Sequence, residues 1–250
     1  MTNWPKGYGL KSFDVIDSTN EEAKRLAAAG EPGPIWISSA RQTAGRGRRG
    51  RAWDSPTGNL AATLMLRPGK PAAECAQLSF VAAIAVFDTV QGFSKEVFYI
   101  KWPNDILVEN DDTGPSKISG ILLESAASVA GDAPWLAIGI GLNLATHPDG
   151  TETPATSLKA LGATVPTPDD ALLRLAAKFA QWYEVWAARG FAPIRDAWLA
   201  RAGGLGQRIR ARLANEDIRG VFEGIDETGA LLLRENAGTL RTISAGEVFF

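Results

Sequence analysis

The chain has 250 residues, 45% of them apolar and 22% charged, a make-up suited to a soluble globular protein with one sizeable core and room for a small appended unit. Twenty-six lysines and arginines against 28 acidic residues leave a net charge of −2, which argues against a protein that tracks a nucleic-acid backbone along a broad basic stripe. One cysteine, Cys75, and one histidine, His147, exclude an internal disulfide, a multi-cysteine metal site, a His-paired catalytic site and most histidine metal centres. Residues 1–9 carry no apolar signal-peptide core, and no run is read as reaching the ~18–20 apolar residues of a membrane span. The expectation is a cytoplasmic protein without membrane contact.

Ser18-Thr19-Asn20-Glu21 reads as a capping box, opening a helix that runs through Ala27-Ala28-Ala29 and stops at Gly30. Residues 34–41 predict a strand and residues 60–66 a second, giving a hairpin whose tip carries a row of arginines. Residues 72–90 have helical spacing and few charges, so they predict one buried helix with Cys75 as a small packed residue. Residues 98–102 and 106–109 read as strands hinged at Pro103-Asn104-Asp105, and 110–116 as a polar turn. Residues 118–125 and 135–142 predict further strands, apolar on nearly every residue as a doubly covered sheet requires. Thr167-Pro168-Asp169-Asp170 supplies the N-cap, N1 proline and acidic first turn of a helix ending at Gly190. A last helix covers about 193–202.

Gly203-Gly204-Leu205-Gly206 then interrupts the chain. Five short strands follow at 207–213, 220–225, 231–234, 240–244 and 247–250, the pattern of a small β-barrel. The reading is an α+β domain over 1–203, a mixed β-sheet flanked by helices, with a β-barrel domain over 204–250.

The tip of the first hairpin carries the chemistry. In Gly45-Arg46-Gly47-Arg48-Arg49-Gly50-Arg51-Ala52-Trp53-Asp54 arginines alternate with glycines. Permanently charged guanidinium forks therefore sit on a backbone free to approach a ligand closely. A basic run is more often a solvated face or a nucleic-acid patch. Here the acidic balance elsewhere and the glycine spacing favour a defined loop that expects a dense anion. Gly45, Gly47 and Gly50 formally match the dinucleotide fingerprint G-x-G-x-x-G, but arginines fill the variable positions and no helical pattern follows.

Four further segments have plain structural readings when taken singly. Lys101-Trp102-Pro103-Asn104-Asp105 is an ordinary turn with a cation and an acid. Lys117-Ile118-Ser119-Gly120 sets a lysine at a strand start, where lysines guard against aggregation. Gly139-Ile140-Gly141-Leu142-Asn143 could reflect close strand packing alone. Ala155-Thr156-Ser157-Leu158 follows a Gly/Thr/Pro loop. Together, and in this order, they point to an anionic, nucleotide-like ligand.

With these segments in hand, the chain resembles the biotin protein ligases. The GRGRRG loop with Trp53, the KWPND corner, the K-x-x-G-I-L strand from Lys117 and the G-I-G-x-N strand from Gly139 occur in the family's order. So do the Ser18-Thr19-Asn20 helix start, Gln42 ahead of the loop and the GIDxxGALLL run over Gly224 to Leu233. The likeness covers about residues 12–250. It implies the catalytic fold of the biotin and lipoate ligases, class II synthetase-like, with an SH3-like C-terminal barrel. It also implies a two-step reaction with ATP and biotin as substrates and Mg²⁺ at the phosphates. Biotin's carboxylate attacks the α-phosphorus of ATP, and the amine of a lysine on a biotin carboxyl carrier domain then displaces AMP from biotinyl-5′-AMP.

Residue by residue, the resemblance implies that Ser18, Thr19, Asn20 and Gln42 meet the ureido ring of biotin. Gly45, Arg46, Gly47 and Arg48 would follow its carboxylate and the adenylate phosphate, and Gly120, Gly139 and Gly141 would leave room for its flat bicycle. Lys117 is the implied electrostatic catalyst, with Arg48 and with Asp105 as the partner of Mg²⁺ or of the acceptor lysine. Arg49, Arg51, Trp53, Lys101, Asn104 and Asn143 are implied on the nucleotide side, beside Arg46 and Arg48. Larger family members carry an N-terminal DNA-binding unit, and little chain precedes Phe13-Asp14 here. The expectation is a ligase that binds no nucleic acid, as a monomer or weak homodimer. The rival readings are a lipoate ligase or octanoyltransferase on the same fold, and a nucleic-acid module built on the basic loop and the barrel.

Overall fold

The computed structural model describes residues 3–109, 114–126 and 133–250; most of the turn expected at 110–116 lies outside them. A seven-stranded sheet forms the centre. Its order is β1 (Gly9–Ile16), β2 (Ile35–Gln42), β3 (Leu60–Leu66), β7 (Leu136–Leu142), β6 (Ser116–Ser125), β5 (Asp105–Val108) and β4 (Phe98–Lys101). β1 and β2 are parallel and the remaining neighbours antiparallel. A parallel pair needs a crossover, supplied here by helix α1 (Thr19–Ala28). The sequence reading has no counterpart to β1. As an edge strand it leaves most of its residues exposed, so no apolar alternation marks it.

Side chains alternate between the two faces. Leu60, Ala62, Leu64 and Leu66 of β3 and Leu136, Ile138, Ile140 and Leu142 of β7 join the main core with α3 (Leu78–Val90) and α4 (Pro168–Arg189). Met65 and Ala137, on the opposite face, pack with Ala23 and Ala27 of α1. The double cover expected from the apolar runs is therefore complete on one face and present only at the α1 end of the other. Beyond α1 the pocket-facing positions of β7 are Gly139 and Gly141, and no helix covers the sheet there, only the Asn20 and Trp53 side chains. That opening is the site.

Residues 72–90 form two helices, α2 (Ala72–Ala76) and α3, meeting at Gln77. By length and a mean hydropathy of 1.4 this span would suffice to cross a membrane, contrary to the composition reading, yet 67% of it is buried inside the fold. It is a core element between the sheet and α4. Thr167 caps α4 by accepting from the Asp170 amide at 3.1 Å, and Gly190 ends it at φ +71. Helix α5 (Ala192–Leu199) stops short of residue 202 because the Arg201 carbonyl turns to accept from the Ile100 amide of β4.

The second sheet is antiparallel, in the order β11 (Leu240–Ile243), β10 (Leu231–Glu235), β9 (Asp217–Ile225), β8 (Arg208–Arg212) and β12 (Glu247–Phe249). β9 starts earlier than expected because β8 pairs with it as far as Asp217. The sheet's inward residues Ile209, Phe222, Ile225 and Leu231 join the same core as Phe80 and Trp198. The rings of Trp198 and Phe222 lie 6.4 Å apart edge to face, and Trp102 Nε1 donates to the Gly229 carbonyl at 3.0 Å.

Candidate active site

The open end of the large sheet is a cavity of about 460 Å³, walled by the start of α1, the arginine loop, β4 to β7, residues 148–155 and β12. Of the residues singled out in the sequence, Ser18, Thr19, Asn20, Gln42, Arg46, Gly47, Arg48, Arg51, Trp53, Lys101, Asp105, Lys117, Gly120, Gly139, Gly141 and Asn143 line it.

One end is neutral and polar. Ser18 is the N-cap of α1 by backbone, but its side chain makes no cap bond and Glu21 turns away to Lys24 and Arg46, so the expected capping box does not form. Gln42 takes over: its Oε1 accepts from the Thr19 amide at 2.8 Å and the Thr19 hydroxyl at 3.1 Å, while Nε2 donates to Ser55. Thr63 Oγ1 lies 2.6 Å from Asn20 Oδ1 and 2.8 Å from Thr19 Oγ1. Glu124 accepts from Asn20 Nδ2 at 2.7 Å and from Lys24 at 3.0 Å. Burial works to raise the Glu124 carboxyl, but the bonds from Asn20 and Lys24 outweigh it and hold it below its ordinary range. These short polar side chains, buried and mutually fixed, form a preset hydrogen-bonding surface.

The other end is charged. Lys117 Nζ lies 2.8 Å from Asp105 Oδ1, and Lys101 Nζ 3.9 Å from Asp105 Oδ2. Burial works to raise the Asp105 carboxyl, yet the two ammonium groups prevail and hold it low. Burial lowers Lys101 more than Asp105 raises it. Two cations against one anion leave this corner with a surplus of positive charge facing the cavity. Asp105 does not fit as a magnesium ligand here: two ammonium groups already engage it, and no cluster of three acidic, His or Cys side chains occurs among the described residues.

Between the two ends lies the glycine floor. Gly120 and Gly141 are register partners on β6 and β7. A Cβ at Gly141 would overlap the Trp53 indole, one at Gly120 would come within 3.1 Å of it, and one at Gly139 would overlap the Asn20 carboxamide. The three glycines therefore admit the flat indole and the Asn20 side chain, and the Lys117 ammonium sits 5.7 Å from the indole centroid. The floor kept free for a flat ring is shared with Trp53 in this state.

The arginine loop closes on itself through Trp53 N to Gly45 O at 3.0 Å and Gly47 N to Arg51 O at 2.7 Å, with Arg49 in the left-handed region at φ 57. Acidic groups hold its cations. Arg46 pairs with Glu21 and Glu124, Arg49 with Glu247 at 3.2 Å, and Arg51 with Glu247 at 2.9 Å and Glu152 at 3.4 Å. Arg48 instead donates to the Gly246 carbonyl at 3.3 Å.

Three expected site residues lie outside the lining. Gly45 is needed where a Cβ would overlap the Trp53 carbonyl, Arg49 points to Glu247, and Asn104 is buried under the corner, donating to the Ile121 carbonyl at 3.3 Å. Glu124, Thr63 and Glu152 were not expected in the site, and β12, though expected as a strand, was not expected to wall it. A carboxylate or threonine read in sequence carries no mark of the arginine or helix start it will meet.

The chain's residues 12–143 match the family model described as the biotin/lipoate A/B protein ligase family, and residues 204–250 the biotin protein ligase C-terminal domain. The biotin--[acetyl-CoA-carboxylase] ligase of Paracoccus denitrificans is 47% identical over 94% of this chain and 97% of its own length. The bifunctional ligase/repressor BirA of Bacillus subtilis is 34% identical over 96% of this chain and 73% of its own. Among solved structures, a biotin protein ligase from Aquifex aeolicus in complex with biotin and ATP superposes with a TM-score of 0.80 at 26% identity, covering 96% of this chain and 97% of that one. The chain belongs to the biotin protein ligase family.

Proposed function

We infer that this protein is a biotin–[acetyl-CoA-carboxylase] ligase, which activates biotin with ATP and transfers it to a lysine of a biotin carboxyl carrier domain. The observation that carries the reading is one cavity with a fixed neutral polar end, a glycine floor and a surplus of lysine and arginine charge at the other end. A ureido ring, a flat bicycle and a carboxylate beside a polyphosphate make the same sequence of demands along one molecule. The Paracoccus relative's name and the biotin and ATP in the Aquifex complex agree with it.

In the first step a biotin carboxylate oxygen attacks the α-phosphorus, the bond to the β-phosphate oxygen breaks, and pyrophosphate leaves. Two anions must approach, so fixed cations that reorganise little are the main aid. Lys117, set by Asp105, and Arg48, which makes no ion pair within 4 Å among the described residues although its charge also acts on Asp105, are the groups we assign to it. In the second step the amine attacks the acyl carbon, AMP leaves and the amine sheds a proton. We assign Asp105, the carboxylate in the lysine corner of the cavity, to receive that proton. The loop and β12 shield the anhydride from water. Mg²⁺ would accompany the nucleotide's phosphates, and we route no step through a protein ligand for it.

The same reading sets the working division at 203/204, with catalysis on the first part and shielding shared between its arginine loop and β12 of the second. It also takes the enzyme to act in the cytoplasm, where ATP is, as a monomer or weak homodimer and without nucleic acid. The test is transfer of labelled biotin to a recombinant carrier domain. Transfer that requires ATP and the acceptor lysine supports the reading. Equal or better activity with lipoate or octanoate would favour the rival acyl substrates instead.

A further inference from the structure

A shallow, open groove lies on the outer face of the small sheet and is lined by Arg208, Ile209, Arg210, Arg219, Phe249 and Phe250. Phe249 lines both this groove and the active-site cavity, so one residue forms the wall between them. Arg210 of β8 and Arg219 of β9 are direct cross-strand partners, and like charges set opposite each other on a ladder repel. Neutralisation is sparse. Arg210 has Asp217 at 3.4 Å and the Phe249 ring at 4.4 Å, Arg208 donates to the Asn236 side-chain oxygen, and the Arg219 side chain makes no ion pair or hydrogen bond among the described residues. The loop arginines Arg46, Arg49 and Arg51, by contrast, each carry a carboxylate partner.

The adenylating step needs no macromolecule, whereas the transfer step needs a protein amine delivered to the cavity. We propose that this groove docks an acidic face of the acceptor carrier domain, so that its lysine enters past Phe249; the proposal rests on the ligase reading above. Charge complementarity carries it: three arginines beside one carboxylate, on a wall shared with the reaction chamber. Such a patch speeds encounter and sets orientation, and its pull fades beyond about 8 Å at physiological salt.

Arg219→Glu tests this. It replaces a cross-strand repulsion with an attractive pair, so the variant should melt at or above the parent's temperature. Two reactions are then compared in full-length protein: trapping of the activated biotin by hydroxylamine, which needs no docking, and transfer to a recombinant carrier domain. Hydroxamate formation should stay within about twofold of the parent while kcat/KM for the carrier falls about tenfold through KM, and the parent's steep salt dependence should flatten. Arg219→Ser should lie between the two. Unchanged carrier kinetics in both variants would overturn the proposal, as would an equal loss of both reactions. Retention of a DNA duplex by the parent, lost in Arg219→Glu with carrier transfer unaltered, would assign the groove to nucleic acid and overturn it too. A parent that forms no hydroxamate from biotin and ATP overturns the ligase reading, and this inference with it.

Discussion

Lys117 sits at the start of β6 with its ammonium 2.8 Å from Asp105 and over the Trp53 ring, so three elements fix one charge. Such a preset cation is worth most where charge gathers in the transition state. Lys117→Ala should reduce biotin-dependent ATP–pyrophosphate exchange by about 10²–10³ while calorimetry finds biotin binding little altered; exchange within twofold of the parent would remove Lys117 from the chemistry. Trp53 rests on the Gly120–Gly141 floor, so a flat ring that enters must share the floor or move the indole. Biotin should therefore change the tryptophan emission, and Trp53→Phe should abolish most of that change although seven tryptophans of the eight remain. At this scale the ordered motifs were informative and the single residues were not. Lys117, Gln42 and the glycines, which line the cavity, were legible through the resemblance that those motifs carry, since each has a plain structural reading when taken singly. Glu124 and Glu247 were not, because their meaning lies wholly in partners 35 or more positions away, Arg212 to Glu247 being the nearest pair.

The arginine loop is the element on which the chemistry turns, and in this state β12 holds it. Burial pushes the Glu247 carboxyl up, but Arg212 and Arg51 bind it and bring it down from 4.5 to about 2. A carboxyl lowered on folding contributes stability that is complete above about 4.5 and lost as pH falls from there towards 2. Between those values the parent should lose urea resistance that Glu247→Gln has already lost at neutral pH. A variant that titrates like the parent would show that the latch adds no stability. The same substitution should speed tryptic cutting at the loop arginines, with biotin plus ATP restoring protection. The β2–β3 hairpin that carries the loop was legible from its two apolar stretches on either side of a Gly/Arg-rich tip, as was α4 from its Thr-Pro-Asp-Asp start. Edge strand β1 was not, since exposure on both sides removes the pattern, and the break at Gln77 had no Gly or Pro to announce it.

Over the whole molecule, two sheets share one core. Phe222, Ile225 and Leu231 of the small sheet pack with Phe80 of α3 and Trp198 of α5, the helices that cover the large sheet, and a boundary read from glycines at 203–206 says nothing of that burial. Each large apolar side chain uncovered costs about 1.5–3 kcal/mol. Residues 1–203 alone should therefore melt well below the full chain, by roughly 10 °C or more, besides losing the wall formed by Glu247 and Phe249. A fragment as stable and as active in exchange as the parent would make the small sheet an appendage. Biotin-dependent exchange of labelled pyrophosphate into ATP, with no acceptor present, tests the central claim most directly. The cavity's charge and floor predict rapid exchange with biotin and none without it; exchange that ignores biotin, or that never occurs, would contradict the assignment of this cavity to the joining of a carboxylate to a nucleotide.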